Sequence, residues 1–230
     1  VKYERSKALE EGRNIIGTEL VFKIKTESDG TLRWKVRAVA LGFQQQKSVD
    51  YELSYSPVGT QSSVNMAIGL TVYNQDKKWT IAMCDIEAAF LETKIPYKLF
   101  LEWPKGVVET GLITEEERKK YVIQQVGGIY GCVDTALRFF IEYRDLLTDP
   151  KGMAMIQSQV DPCVFFKMEN DIIKLIAITH VDDTLLCGPK EEMKWFTTGI
   201  SKRFKYTYED TLKKHLGVWY RWLKDEDGEI

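Results

Sequence analysis

Nothing in the 230 residues looks like a membrane anchor, because no uninterrupted apolar run approaches the roughly 20 residues that a spanning helix needs. The opening Val1-Lys2-Tyr3-Glu4-Arg5 has no apolar stretch behind its charges, so it is not a secretory signal, and an intracellular protein is expected. The chain begins with Val1 and lacks an initiator methionine, which points to a fragment or a processed piece. Histidine is scarce, with only two residues, and the four cysteines at 84, 132, 163 and 187 form no CxxC pair. A structural zinc site is therefore not expected, whereas free thiols in a reducing compartment are. There is no internal repeat, no low-complexity tract and no Gly/Ser linker, and the six prolines are scattered. What is present is an ordinary globular balance, 44% hydrophobic and 29% charged, in a length that suits one large domain or two small ones.

The net charge of −2 conceals a pattern. Residues 1–47 carry ten Lys/Arg against six Asp/Glu, and residues 189–224 carry nine against four. Between them, residues 48–188 carry 13 against 20. Solvated surface charge is one account of this. The other is a pair of basic walls, which attract phosphates, flanking an acidic centre, which holds divalent cations.

Residues 20–25 read as a strand, Glu27-Ser28-Asp29-Gly30 as a turn, and Thr31 to Leu41 as the returning strand of a basic hairpin. Thr60 to Asn74 reads as a helix with two apolar stripes, one through Val64, Ala67 and Ile68, the other through Met66, Leu70 and Tyr73, so burial on most sides is expected. Strands are expected at 79–84, 97–102, 121–126, 163–167, 172–179 and 184–187. Helices are expected at 86–91, 134–147 and 190–204, and a further strand around 216–223 that enters a hairpin at 225–228. The mixture, with several antiparallel links, indicates an α+β fold.

The chemistry rests on His180-Val181-Asp182-Asp183, where two adjacent acids interrupt an otherwise apolar hairpin. Asp is a poor strand former, and packed like charges repel. A tight turn is one account of them; a bound cation is the other. Asp85 ends a second apolar strand, Ile81-Ala82-Met83-Cys84. It suits a helix N-cap, and equally a third carboxylate meeting the pair across neighbouring strands. Three carboxylates at one point call for cations, and two Mg²⁺ ions would clamp a transferring phosphoryl group.

These residues resemble the copia-type reverse transcriptases of LTR retrotransposons, over about Ile16 to Lys224. Lys35-Val36-Arg37-Ala38-Val39-Ala40-Leu41-Gly42-Phe43-Gln44-Gln45 is similar to the fingers signature, and Val49 to Val58 to the stretch that follows it. Asp85-Ile86-Glu87-Ala88-Ala89-Phe90-Leu91 resembles motif A, Ile129-Tyr130-Gly131 motif B, and Val181-Asp182-Asp183 motif C. Glu102-Trp103-Pro104-Lys105-Gly106, Asp161-Pro162-Cys163-Val164-Phe165 and His215-Leu216-Gly217-Val218 also fall in family order. Three departures stand out. His180 occupies a position where Tyr is usual, Leu41 replaces a Lys or Arg, and Cys132 to Leu137 replaces the usual run after motif B.

The resemblance implies a right-hand polymerase whose palm is an antiparallel sheet backed by helices, a ferredoxin-like (RRM-like) core. Fingers would occupy 1–78, and palm 79–230 with part of the fingers at about 103–130; thumb and RNase H would be absent. It implies RNA-directed DNA synthesis in a cytoplasmic particle or the nucleus. Partners would be a primed RNA or DNA template, dNTPs and the parent polyprotein's integrase and RNase H. Asp85, Asp182 and Asp183 would hold two Mg²⁺ ions, with Mn²⁺ a possible substitute. Arg37, Lys23, Lys25 and Lys35 would bind the triphosphate, with Phe90 as the gate against a ribose 2′-OH and Tyr130 and Gly131 beside it. His180, Leu216 and Gly217 would lie along the primer. A catalytically inactive relic that folds and at most binds nucleic acid is the alternative. A nucleotide cyclase shares the palm architecture, but the Arg37 hairpin and the ordered blocks argue against it.

Overall fold

The computed structural model describes residues 1–26, 30–215 and 217–221. The first elements are β1 (Lys2–Glu4), α1 (Arg5–Glu10), β2 (Ile15–Ile16), β3 (Thr18–Thr26), β4 (Leu32–Ala40) and α2 (Gln61–Tyr73). Next come β5 (Thr80–Ile86), α3 (Ala89–Glu92), β6 (Lys94–Leu101), α4 (Glu115–Lys120), β7 (Tyr121–Gly127) and α5 (Thr135–Thr148). The last are β8 (Ile156–Gln157), β9 (Val164–Glu169), β10 (Ile172–His180), β11 (Asp183–Gly188), α6 (Lys190–Ile200), β12 (Tyr206–Glu209), β13 (Lys214–His215) and β14 (Val218–Trp219). Helices and sheets are mixed, and the paired strands are antiparallel except β2 with β6. Among the described residues no helix is long and apolar enough to cross a membrane. The chain divides into two compact units, 1–56 with 90–139 and 57–89 with 140–230.

In the first unit β1, β7, β6 and β2 form a four-stranded sheet. Ile16, Leu99 and Leu101 with Ala40 make one core, and Ala8, Phe100 and Val122 another. β3 and β4 stand apart as a two-stranded ribbon, paired without a break from Thr18↔Ala40 to Thr26↔Leu32. Its turn residues 27–29 lie outside the described residues. Strand alternation sorts the ribbon's side chains. Lys23, Lys25, Arg33, Lys35 and Arg37 share one face; Phe22, Ile24, Leu32, Trp34 and Val36 share the other, which is exposed.

In the second unit β12, β5, β11, β10, β9 and β8 form a six-stranded sheet, antiparallel throughout. On one face Val64 and Ala67 of α2 pack with Ile81, Ile176, Ile178, Leu185 and Cys187. On the other, the Tyr143 hydroxyl of α5 lies 3.0 Å from that of Thr184. Tyr208, in register with Cys84, reaches Met193 of α6 there. With both faces covered, β10 and β11 need no polar alternation, which explains their continuous apolar runs. α2, grouped in the sequence reading with the hairpin, packs on this sheet.

Four local expectations need correction. α2 buries mainly one stripe: Ser63, Val64, Ala67 and Thr71 face inward, while of the other stripe Leu70 packs partly against the core and Met66 and Tyr73 are 59% and 81% exposed. Residues 86–91 are not one helix, because β5 runs through Ile86 and Ala88 takes φ +52 before the single turn of α3. α6 stops at Ile200, although Phe204 stays buried. Around 216–223 the described strand is only Val218–Trp219, while Leu216 and residues 225–228 lie outside the described residues. The four cysteines are free thiols, three of them buried.

The Asp161 carboxylate accepts from Ser63 Oγ at 2.6 Å and from the Thr60 and Cys163 amides at 3.0 Å, anchoring the start of β9 to the N-terminus of α2. Burial pushes its pKa up, but these hydrogen bonds outweigh burial and hold it below the usual value. Its stabilisation is therefore present above the ordinary Asp pKa and is lost as the pH falls through the lower folded value. The destabilisation caused by Asp161→Asn, measured by urea unfolding, is expected to shrink between about pH 7 and about pH 3. An unchanged difference would mean that the charge is irrelevant. Leu185→Ala, in the fully buried cluster, is expected to lower the unfolding free energy by about 2–5 kcal/mol. Met66→Ser on the exposed side of α2 should stay within about 0.5 kcal/mol, and equal losses would refute the one-sided burial.

Candidate active site

β11 lies between β10 and β5, and the register of the three strands decides which acids meet. Asp183 stands opposite Asp85 on one side and opposite His180 on the other. Val181 and Asp182 form the two-residue loop that closes β10 onto β11. Val181 takes φ +58, a left-handed conformation in which a β-branched side chain is strained. The Ile86 amide donates to the Asp182 carbonyl at 2.9 Å, pinning the loop to the end of β5. Three acids from two separate stretches of chain are thus placed at one end of the sheet.

Their electrostatics show the crowding. Burial raises the Asp183 pKa first, the Asp182 charge raises it further, and Glu209 on β12 adds to this; a side-chain hydrogen bond with Asp85 works the other way. Glu209 escaped the sequence reading, since nothing in Tyr206-Thr207-Tyr208-Glu209 foretold that β12 pairs with β5. The adjacent Cys84 thiol is pushed up to about 12 by burial and by Asp85 and Asp183, so it stays protonated. Among the described residues no group of three or more His, Cys, Asp or Glu side chains already forms a metal site. The carboxylates nevertheless fit a hard divalent cation, whose charge would relieve the repulsion that raises Asp183.

His180 ends β10 half-buried, and its Nδ1 is buried without a hydrogen-bond partner. The His215 ring approaches edge-on, with centroids 6.5 Å apart, and both of its nitrogens are buried without a partner. A buried unsatisfied polar atom costs about 1–3 kcal/mol. Burial, and then His180, lower the His215 pKa. Gly217 takes φ +82 between β13 and β14, as a two-residue hairpin loop requires.

The other expected site residues lie in the first unit. The Arg37 guanidinium stacks 5.0 Å from the Tyr130 ring centroid, and Phe90 packs against the same ring at 5.3 Å and 59°. The Arg37 Nε is buried with no partner among the described residues. The Ala40 amide donates to the Tyr130 carbonyl at 2.8 Å, tying this segment to β4. Gly131 is more than a turn residue: it has φ +89, and a Cβ there would strike the Ala40 carbonyl. Lys23 and Lys25 are exposed on the same ribbon face, directly opposite Lys35 and Arg33.

Asp134 was also missed, although an acid four residues before Arg138 is a helix-pair signal. It is fully buried and accepts from the Tyr97 hydroxyl and from Arg138 Nε, both at 2.6 Å. The Gln45 side-chain carbonyl accepts from the Val133 amide at 2.7 Å. The departing run Cys132 to Leu137 is therefore held by contacts of its own.

A family profile described as reverse transcriptase (RNA-dependent DNA polymerase) matches residues 5–223. The chain is similar to the retrovirus-related Pol polyprotein from transposon RE2 of Arabidopsis thaliana, 28% identical over 206 residues, covering 89% of this chain and 13% of that protein. The corresponding polyprotein from transposon RE1 of the same plant is 27% identical over the same shares. That from transposon TNT 1-94 of Nicotiana tabacum is 26% identical over 182 residues, 78% of this chain and 13% of that protein. The chain thus spans about an eighth of the length of these curated relatives. With the profile running through both units and the named relatives all transposon polyproteins, the chain belongs to the copia-type reverse transcriptase family.

Proposed function

We propose that the chain is the RNA-directed DNA polymerase core of a copia-like retrotransposon polyprotein, joining dNTPs to a primer 3′-OH on an RNA or DNA template. The observation that carries this is the cross-strand pair Asp183–Asp85, with Asp182 on the strained loop beside it. Asp85, Asp182 and Asp183 would hold two divalent ions. Mg²⁺, or Mn²⁺ in its place, supplies when bound the positive charge that lowers the pKa of the primer hydroxyl and offsets the triphosphate. In the reaction that hydroxyl attacks the α-phosphate of the dNTP, and pyrophosphate leaves.

The remaining roles follow from side-chain chemistry. Arg37 offers a planar fork of donors to phosphate oxygens, held in orientation by the Tyr130 ring. Lys23, Lys25 and Lys35 line the same ribbon face and add charge without fixed geometry. Phe90, braced by Tyr130, is the wall that a ribose 2′-OH would strike. Gly131 lets the backbone pass close to β4 at that point. His180, Leu216 and Gly217 would follow the primer strand. In this reading the fingers take in residues 1–78 and about 103–130, and the palm the rest of 79–230, with a ferredoxin-like arrangement. The antiparallel six-stranded sheet with helices on its faces supports the palm, although α2, which lies within 1–78, packs on that sheet. Integrase and RNase H of the parent polyprotein would be the protein partners, and a cytoplasmic particle or the nucleus the compartment.

Primer extension on oligo(dT)–poly(rA) with Mg²⁺ is expected to show dTTP incorporation that falls steeply with added salt, since phosphate contacts supply most of the affinity. Asp182→Asn should reduce incorporation at least about 100-fold, the scale of losing one group that acts in the transition state. Equal activity in that variant would refute its role. No incorporation by the wild-type chain, with Mg²⁺ or Mn²⁺, would favour the inactive relic. Phe90→Ala should raise the ratio of ribonucleotide to deoxyribonucleotide incorporation about 10-fold or more. An unchanged ratio removes the gate.

A further inference from the structure

His180 and His215 are the two histidines of the chain, and they come from different strands, β10 and β13, yet their rings meet. Three of their four ring nitrogens are buried without a hydrogen-bond partner among the described residues. His215 is only 3% exposed, so bulk solvent does not reach its unpaired nitrogens. An aromatic hydrocarbon there would pack as well and leave no polar atom dry. Two neighbouring imidazoles with unpaired nitrogens can supply one half of a tetrahedral ligand shell.

We propose that His180 and His215 form a binding site for a transition-metal ion of the zinc class, distinct from the carboxylates at 85, 182 and 183. Two imidazoles on one tetrahedral ion, with metal–nitrogen bonds of about 2.0–2.1 Å, hold their ring centroids about 5 Å apart. The observed 6.5 Å is wider than that, so the two rings have to turn and approach by about 1 Å to share an ion. Imidazole nitrogen selects Zn²⁺, Co²⁺ or Ni²⁺ over Mg²⁺, which takes oxygen ligands. The neighbouring carboxylates have the opposite preference, so the two sites sort their ions by ligand type. With two ligands from the protein, the other coordination positions would be filled by water molecules carried in with the ion. An ion here would also tie β13 to the end of β10. The proposal does not depend on polymerase activity.

The test is titration of the chelator-treated full chain with Co²⁺, followed by its visible d–d absorption, and then displacement by Zn²⁺. Tetrahedral-type bands without thiolate charge transfer are expected, together with shifts of both imidazole ¹⁵N resonances on adding Zn²⁺. His215→Phe and His180→Tyr should each weaken Zn²⁺ binding at least about 10-fold, as removing one of two protein ligands requires. Asp85→Asn should leave the bands in place. The ¹⁵N measurement on the wild-type chain keeps the test open should a variant fail to fold. Absent bands with unmoved ¹⁵N resonances would mean that only water fills the space, and the proposal falls. It falls equally if the bands persist in both histidine variants, carry thiolate charge transfer or vanish in Asp85→Asn.

Discussion

The register between β5 and β11 is the constraint on which the candidate chemistry depends. It sets Asp183 directly against Asp85, whose side-chain hydrogen bond partly offsets the burial and the Asp182 charge that raise the Asp183 pKa. A slip of one residue would turn every side chain of β11 to the opposite face and separate the pair. The slip is prevented by apolar packing. Leu185 and Cys187 are buried against α2, and Thr184 is engaged by Tyr143 on the other face, so either movement would expose core. Hydrophobic burial thereby holds together charges that would otherwise drift apart.

The same logic explains the strained residue. Val181 keeps a positive φ because the strands on either side of it are paired and the next carbonyl is bonded to the Ile86 amide. Strain of this kind persists only where the surroundings over-determine it, and here it lies at the residue before Asp182. In the first unit Gly131 performs a related service without strain. Lacking a Cβ, it lets its segment lie against Ala40, and the next-door Tyr130 ring then receives Arg37 and Phe90.

The ribbon of β3 and β4 is built differently. Its two faces separate charge from hydrocarbon, and neither is covered as a core strand would be. An isolated pair of strands is marginal in water, so the ribbon owes its order to long unbroken register and to its base at Thr18 and Ala40.

Apolar periodicity and turn chemistry in the sequence determined much of the architecture. The hairpin at 18–40, the cores of α2, α5 and α6, and the β10–β11 hairpin with its acids are all legible, because each is a local pattern of side-chain types. The short elements were not. α4 is Glu115 to Lys120 with no buried residue, so no apolar stripe announces it, and only its Thr114–Glu117 capping box marks it. β1, β2, β8 and β12 are defined by the partners they find, which no local pattern names. The sidedness of α2 was illegible for a similar reason: two apolar stripes compete, and the sheet accepts mainly one of them. Tertiary structure alone decided that Asp183 faces Asp85, that Glu209 joins them, that Asp134 is buried between Tyr97 and Arg138, and that the two histidines touch. Apart from the local Asp134–Arg138 pair, each of these is a meeting of residues far apart in sequence, and what places them is strand register and packing, properties that no single segment possesses.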